Sequence, residues 1–163
     1  MEQAIIRKAT EADKELVWKI IQAVIHTGDT YVFDPDTPKE TMMAYWFAPG
    51  TFTFVAELNG NIAGTFVFRQ NQPGLGSHVA NAGYMVHPDF HGKGIGKQMA
   101  QASLEEARKA GFLAMQFNIV VSTNHNAKKL WDQMGFVTIG VLPKVFNHTK
   151  FGLVDAYVMH RFL

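Results

Sequence analysis

Gly92, Gly94 and Gly96 stand at alternate positions between a run of strand formers and a run of helix formers. Glycine lets a backbone bend through positive φ and lets a ligand touch the main chain. The first amides of a helix have no internal partners and sit at the positive end of its dipole. Residues 91–97 therefore read as a cradle for a phosphate or diphosphate, with Lys93 and Lys97 adding charge at the rim. Two phosphate loops do not fit. A P-loop needs Gly-x-x-x-x-Gly-Lys-Ser/Thr, but counting back from Gly96-Lys97 finds His91 at the first glycine and Gln98 at the hydroxyl. A dinucleotide fingerprint, Gly-x-Gly-x-x-Gly, would need glycine at Met99 or at Lys97.

The elements that must hold this turn can be read from either side of it. Residues 4–8 predict an edge strand. Thr10 with Asp13 opens a helix whose apolar positions, Leu16, Val17, Ile20, Ile21, Val24 and Ile25, recur at helical spacing up to Gly28. Residues 29–38 are rich in turn formers, and 39–47 predict a second short helix. Residues 51–57 and 62–69 are strands joined at Asn59-Gly60, a strong hairpin signal. A loop follows at 70–77, then a strand at 78–86, the glycine turn and a helix at 97–110. Residues 112–121 predict a central strand, 124–134 a short helix, and 136–142 and 154–162 the last two strands around a long loop. The order β-α-α-β-β-β-α-β-α-β-β is an α+β arrangement: a mixed, mostly antiparallel twisted sheet of about seven strands with helices on both faces, in one domain over 1–163.

Downstream of the turn runs Asn124-His125-Asn126-Ala127-Lys128-Lys129-Leu130-Trp131-Asp132-Gln133-Met134-Gly135-Phe136. The glycine turn is similar to the coenzyme A turn Gln/Arg-x-x-Gly-x-Gly/Ala, with His91 at its first position. The downstream run resembles Asn-x-x-Ala-x-x-Leu-Tyr-x-x-x-Gly-Phe. On these two motifs the chain resembles the GNAT superfamily of N-acetyltransferases. The likeness implies an acetyl-CoA-dependent N-acetyltransferase fold. It further implies that Tyr84, Met85 and Val86 offer main-chain groups to the pantetheine arm and the thioester. By the same likeness His91, Gly92, Lys93, Gly94, Ile95, Gly96 and Lys97 hold the diphosphate, with Asn124 and Lys129 along the cofactor's path. Trp131 departs from the pattern, since many members carry there a tyrosine that protonates the leaving thiolate. The strings Asn81-Ala82-Gly83-Tyr84 and Phe117-Asn118-Ile119-Val120 look like the branch that acetylates proline analogues such as azetidine-2-carboxylate. That likeness places Asn81 and Asn118 at the acyl-transfer centre. Both lie in otherwise apolar strands, where an amide must find partners. By the same likeness the loop Thr30-Tyr31-Val32-Phe33-Asp34 builds the acceptor pocket.

Glu57 and His78 are candidate bases, although Glu57 beside a hairpin turn also reads as a solvated carboxylate. Phe146, Asn147 and His148 fall in the long loop before the last strand and are placed to close the pocket's other side. His87 and His91 are separated by Pro88 and a turn, so no metal site is expected. Fifteen basic against fourteen acidic residues in 163 argue against a nucleic-acid partner bound mainly by charge. The chain lacks cysteine, which removes thiol nucleophiles and disulfides. No apolar run is long enough for a signal peptide or a membrane span, so the expected setting is the cytoplasm. The expected partners are a small-molecule amine and, through the apolar C-terminal strand, a second copy of the chain as a homodimer. Two rival functions stay open: a non-catalytic coenzyme-binding regulatory module, and a protein N-terminal acetyltransferase.

Overall fold

Residues 2–163 are described by a computed structural model. The elements are β1 (Ile5–Lys8), α1 (Lys14–Ile25), α2 (Lys39–Trp46), β2 (Phe52–Leu58), β3 (Asn61–Gln70), β4 (Val79–Val86), α3 (Ile95–Lys109), β5 (Ala114–Val121), α4 (His125–Gln133), β6 (Val137–His148) and β7 (Gly152–Phe162). They form one seven-stranded sheet in the order β1-β2-β3-β4-β5-β7-β6, the α+β arrangement expected from the sequence. Only β4 and β5 run parallel.

Strand alternation sorts the core into two layers. Phe54, Phe66, Phe68, Met115 and Phe117 face α3 and α4 and pack with Met99, Leu104 and Trp131. Val55, Val67 and Met85 point the other way and pack against Val17, Ile20, Ile21 and Ile25 of α1 and Met42 and Trp46 of α2. Asn59 and Gly60 both adopt positive φ, 51° and 79°, the primed turn that their dipeptide favours.

Several boundaries differ from expectation. Thr10 and Asp13 form a capping box, but over one turn of 3-10 helix at Glu11–Asp13, and the α-helix proper starts at Lys14. α3 begins two residues early, at Ile95, with Gly94 as its N-cap in the left-handed region. The largest correction concerns the last hairpin. β6 runs to His148 and β7 starts at Gly152, so the expected long loop is a turn at residues 149–151. Phe146, Asn147 and His148 are therefore strand residues, and Phe146 and His148 are buried. A register break between Leu142 and Phe146 absorbs the extra residues, with Lys144 at φ 51° and its N–H held by Asp155 Oδ1 at 2.9 Å.

This hairpin reaches across to the end of α1. Thr149 N–H donates to the Gly28 carbonyl at 3.3 Å and its hydroxyl to the Thr27 carbonyl at 3.1 Å. Gly28 has φ 62°, and a Cβ there would collide with Thr149 Cγ2. Gly28→Ala is expected to lose about 1–2 kcal/mol of stability from left-handed strain and the collision, read as a lower midpoint in urea unfolding.

The N-terminal strand is fastened by charge. Arg7 grips Asp13 through two bonds, 2.8 and 2.9 Å, and reaches Glu57 at 3.3 Å. Asp13 is buried, and the Arg7 guanidinium holds its carboxyl well below the usual carboxylate range. A carboxylate favoured in the fold stabilises fully above its unfolded pKa, about 3.9, and loses that contribution as pH falls below it. Asp13→Asn is expected to cost about 2 kcal/mol at pH 7 and to flatten the stability loss between about pH 5 and 2, measured by urea titrations across that range.

Candidate active site

β4 and β5 are eight residues each, yet they share only two register positions, Val79–Ala114 and Ala80–Met115. Beyond these the strands separate. A bulge opposite Phe117–Val120 in the β5–β7 pairing bends β5 further. The gap leaves main-chain groups of β4 without a neighbouring strand. His87 N–H bonds the Ala63 carbonyl at 2.9 Å, so by antiparallel alternation residues 83 and 85 also face β3, and Tyr84 and Val86 face the gap.

Of the predicted cofactor residues, Tyr84 and Val86 thus turn their main-chain groups toward the gap, where the Val86 N–H is the one left without a partner among the described residues. Met85 borders the cleft, but its main chain faces β3 and its side chain is buried beside α1. Tyr84's two groups are engaged by a residue the sequence pointed to only as a pocket aromatic. The Tyr31 hydroxyl lies 2.6 Å from both the Tyr84 nitrogen and the Tyr84 oxygen, accepting from one and donating to the other. Tyr31 packs close over Gly83, where a Cβ would stand 3.4 Å from its hydroxyl. Burial pushes the Tyr31 and Tyr84 hydroxyls well above their ordinary pKa, so both stay protonated. The Tyr84 hydroxyl points away from the cleft to Ser103 Oγ at 2.7 Å.

At the far end stands the glycine turn. Gly92 and Gly94 take φ 78° and 77°. α3 has no side-chain cap and no acidic residue in its first turn, and its first internal bond is Gln98 N–H to the Gly94 carbonyl. The N–H groups of Ile95, Gly96 and Lys97 therefore have no helical partner. A Cβ added at Gly92 would meet nothing within 4 Å, and one at Gly96 only Val86 Cγ2 at 4.0 Å. An uncapped helix start beside empty space suits a diphosphate. His91 reaches back to the Val86 carbonyl at 3.3 Å, and Lys93 lies 5.0 Å over the Phe90 ring. Lys93, Lys97 and Lys129 are exposed. Asn124 caps α4 through Ala127 N–H at 3.2 Å and borders the cleft.

Asn81 and Asn118 line one cavity of about 380 Å³ with Thr30, Tyr31, Phe33 and Trp131. Asn81 donates to the Gln116 carbonyl at 3.0 Å. Asn118 accepts from Gln116 Nε2 at 3.0 Å and donates to Asn71 Oδ1 at 2.7 Å. The two amides are thus tied together through Gln116. The glycine-turn cleft and this cavity share Thr30, Tyr31, Tyr84 and Asn124, so they adjoin there as the two ends of a channel along the β4–β5 gap. Glu57 and His78 line neither part, and Glu57 is paired with Arg7.

Arg69 was not legible as a site residue. It pairs in register with Asn81 across β3–β4, and its guanidinium lies 3.9 Å from the Tyr45 ring centroid. It is the one charged side chain lining the cavity and forms no ion pair among the described residues. Among the described residues no group of three or more His, Asp or Glu stands together, and no helix is long and apolar enough to cross a membrane.

Comparison with known proteins agrees with this geometry. The N-acetyltransferase aca1 of Schizosaccharomyces pombe is 34% identical over 114 residues, covering 68% of this chain and 54% of that protein, so the chain spans about half that relative's length. The L-amino acid N-acyltransferase MnaT of Escherichia coli is 31% identical over 153 residues, 90% of this chain and 86% of that one. The structure of a GCN5-related N-acetyltransferase from Kribbella flavida superposes with a TM-score of 0.92 at 36% identity, covering 98% of each chain. The model of the acetyltransferase (GNAT) family matches residues 16–136, which takes in the helices and strands on both sides of the channel, and the chain belongs to that family.

Proposed function

We propose that the chain is an acetyl-CoA-dependent N-acetyltransferase whose acceptor is a small molecule carrying an amine and an anionic group, an amino acid or amino-acid analogue. Arg69 carries the reading. An unpaired guanidinium in a largely apolar cavity gains most from a carboxylate, which it grips through two parallel bonds. The similarity to an L-amino acid N-acyltransferase supports the same class of acceptor.

Acetyl-CoA would lie with its diphosphate on the amides of residues 92–97, its arm along Tyr84 and Val86, and Asn124 and Lys129 on the α4 side. When bound, it supplies the acetyl group as a thioester. The Val86 N–H would be the donor for the carbonyl oxygen, and Asn81 and Asn118 would orient the amine. No carboxylate or imidazole lines the cavity, so the amine gives its proton to water before attack.

The test is release of free thiol from acetyl-CoA with L-amino acids, azetidine-2-carboxylate, the corresponding amides, simple alkylamines and short peptides. Free acids should exceed their amides by about 10- to 100-fold in kcat/KM, the worth of charge-assisted bonds that the half-buried guanidinium makes to a carboxylate and not to an amide. Equal use of acids, amides and peptides would overturn the choice of acceptor. Silence across the panel with coenzyme A bound would favour the regulatory module.

The C-terminal strand β7, expected to pair two copies, lies between β5 and β6, so its edges are already taken; Val137, Ile139 and Val141 are instead exposed on β6, one of the two edge strands, which supports a homodimer at that edge. Light scattering on a sizing column should give twice the chain mass, and a monomer at about 10 μM would end this suggestion.

A further inference from the structure

β4 runs on past its last pairing with β5 at Ala80–Met115, so Tyr84 and Val86 have no neighbouring strand on that side. At Tyr84 a side chain takes the strand's place. The Tyr31 hydroxyl accepts from the Tyr84 N–H and donates to the Tyr84 carbonyl, both at 2.6 Å. Val86 has no such substitute. Its carbonyl meets the His91 ring at 3.3 Å, and its N–H stays open.

The same hydroxyl fastens a loop. Residues 26–38 join α1 to α2 without regular secondary structure, and Thr30, Tyr31, Val32 and Phe33 from this segment line the cavity that holds Asn81 and Arg69. Thr149 holds the base of the loop at Thr27 and Gly28. Within 29–38 the other hydrogen bonds among the described residues stay inside the loop, reach its base or enter α2. Tyr31 alone ties this stretch to the sheet, and it does so where the glycine-turn cleft adjoins the cavity.

The coenzyme needs the atoms that this fastening occupies. Its pantetheine arm carries two amides, each with one N–H and one C=O. An extended strand offers matching pairs at alternate residues, roughly 7 Å apart. An arm leaving a diphosphate on residues 92–97 meets Val86 first and Tyr84 second along the cleft. The Val86 N–H is open to it. The Tyr84 N–H has a single hydrogen, and that hydrogen is already on the Tyr31 oxygen.

We propose that the pantetheine arm displaces the Tyr31 hydroxyl from the Tyr84 main chain, so that coenzyme binding releases the loop that walls the acceptor cavity. This rests on the acetyl-CoA reading above. The exchange replaces one pair of bonds by another, so the observed affinity is lowered by whatever the hydroxyl contributes to the free protein.

The test sets two proteins, the wild type and Tyr31→Phe, against two probes, coenzyme A and ADP, which has the diphosphate but no arm. Calorimetry should show Tyr31→Phe binding coenzyme A about 10-fold more tightly, because no hydroxyl has to leave, with ADP affinity within about twofold of wild type. A residue that merely propped the fold would weaken both probes or shift them alike. Chymotrypsin reads the loop in the wild type without any substitution. Cleavage after Tyr31 and Phe33 should be several-fold faster with coenzyme A bound than with ADP bound or with neither. Should Tyr31→Phe fail to fold, the cleavage comparison decides alone. Coenzyme A binding that is unchanged or weaker in Tyr31→Phe, or cleavage no faster with coenzyme A than with ADP, would overturn the inference and leave the acetyltransferase reading standing. A wild type that does not bind coenzyme A would instead remove that reading.

Discussion

Gly96→Ala should stabilise the free protein and remove most of its affinity for coenzyme A. The two effects have opposite signs because the residue serves different masters before and after binding. Gly96 lies in the first turn of α3 with an ordinary negative-φ backbone, unlike Gly92 and Gly94. The protein itself makes no demand for glycine there, since a Cβ would find only Val86 Cγ2 at 4.0 Å. Alanine in a helix is favoured over glycine by about 0.5–1 kcal/mol, which should raise the melting temperature by a few degrees. The same methyl group would stand over the amides of Ile95, Gly96 and Lys97. A diphosphate held about 1 Å further out loses several charge-assisted bonds, and calorimetry should show coenzyme A binding weakened about 100-fold. Gly92→Ala is the contrast: its φ of 78° makes any side chain strained, so that variant should lose stability. Undiminished binding by Gly96→Ala would place the diphosphate elsewhere and take the acetyl-CoA reading with it.

The parts of this molecule that could be read from sequence are those whose cause is local. Asn59-Gly60 and the run Gly92 to Gly96 announce themselves because only such residues accept positive φ cheaply. The alternation of Phe54, Phe66 and Phe68 against Val55 and Val67 fixes which face each strand buries, and the helical spacing of Val17, Ile20 and Ile21 does the same for α1. The strand expected over 136–142 stops just before Pro143, a residue that lacks a ladder N–H. What keeps the strand going is a distant bond, Lys144 N–H to Asp155, and the docking of Thr149 on Gly28. The same distinction divides the site. The glycine turn was legible, and the pairing of Asn81 with Asn118 came only through resemblance to a family. Their joint position depends on how far β4 and β5 diverge, which no residue along either strand encodes. Arg69 was invisible for a simpler reason: an arginine near the end of a strand usually faces water. It lines the cavity because the β3–β4 register sets it opposite Asn81, and because α2 brings Tyr45 beneath its guanidinium.

On the proposed function, replacing that arginine should change which acceptor the protein uses more than how it binds coenzyme A. In Arg69→Ala, kcat/KM for amino acids is expected to fall about 10- to 100-fold, the worth of charge-assisted bonds from a half-buried guanidinium. For the matching amino-acid amides, which carry no carboxylate, it should change less than about threefold, and coenzyme A affinity should hold because the glycine turn lies at the other end of the channel. Arg69→Lys separates charge from shape. Lysine keeps a positive point charge but loses the two-pronged grip and the flat stacking on Tyr45, so about a tenth of the wild-type kcat/KM for acids should remain. The cycle formed by two enzymes and two acceptors isolates the guanidinium–carboxylate coupling from any loss of packing. Equal losses for acid and amide would mean that Arg69 only props the cavity wall through the Tyr45 carbonyl, which it reaches at 3.3 Å. The acceptor would then be recognised by the Asn81 and Asn118 amides, a set that favours neutral hydrogen-bonding groups over anions.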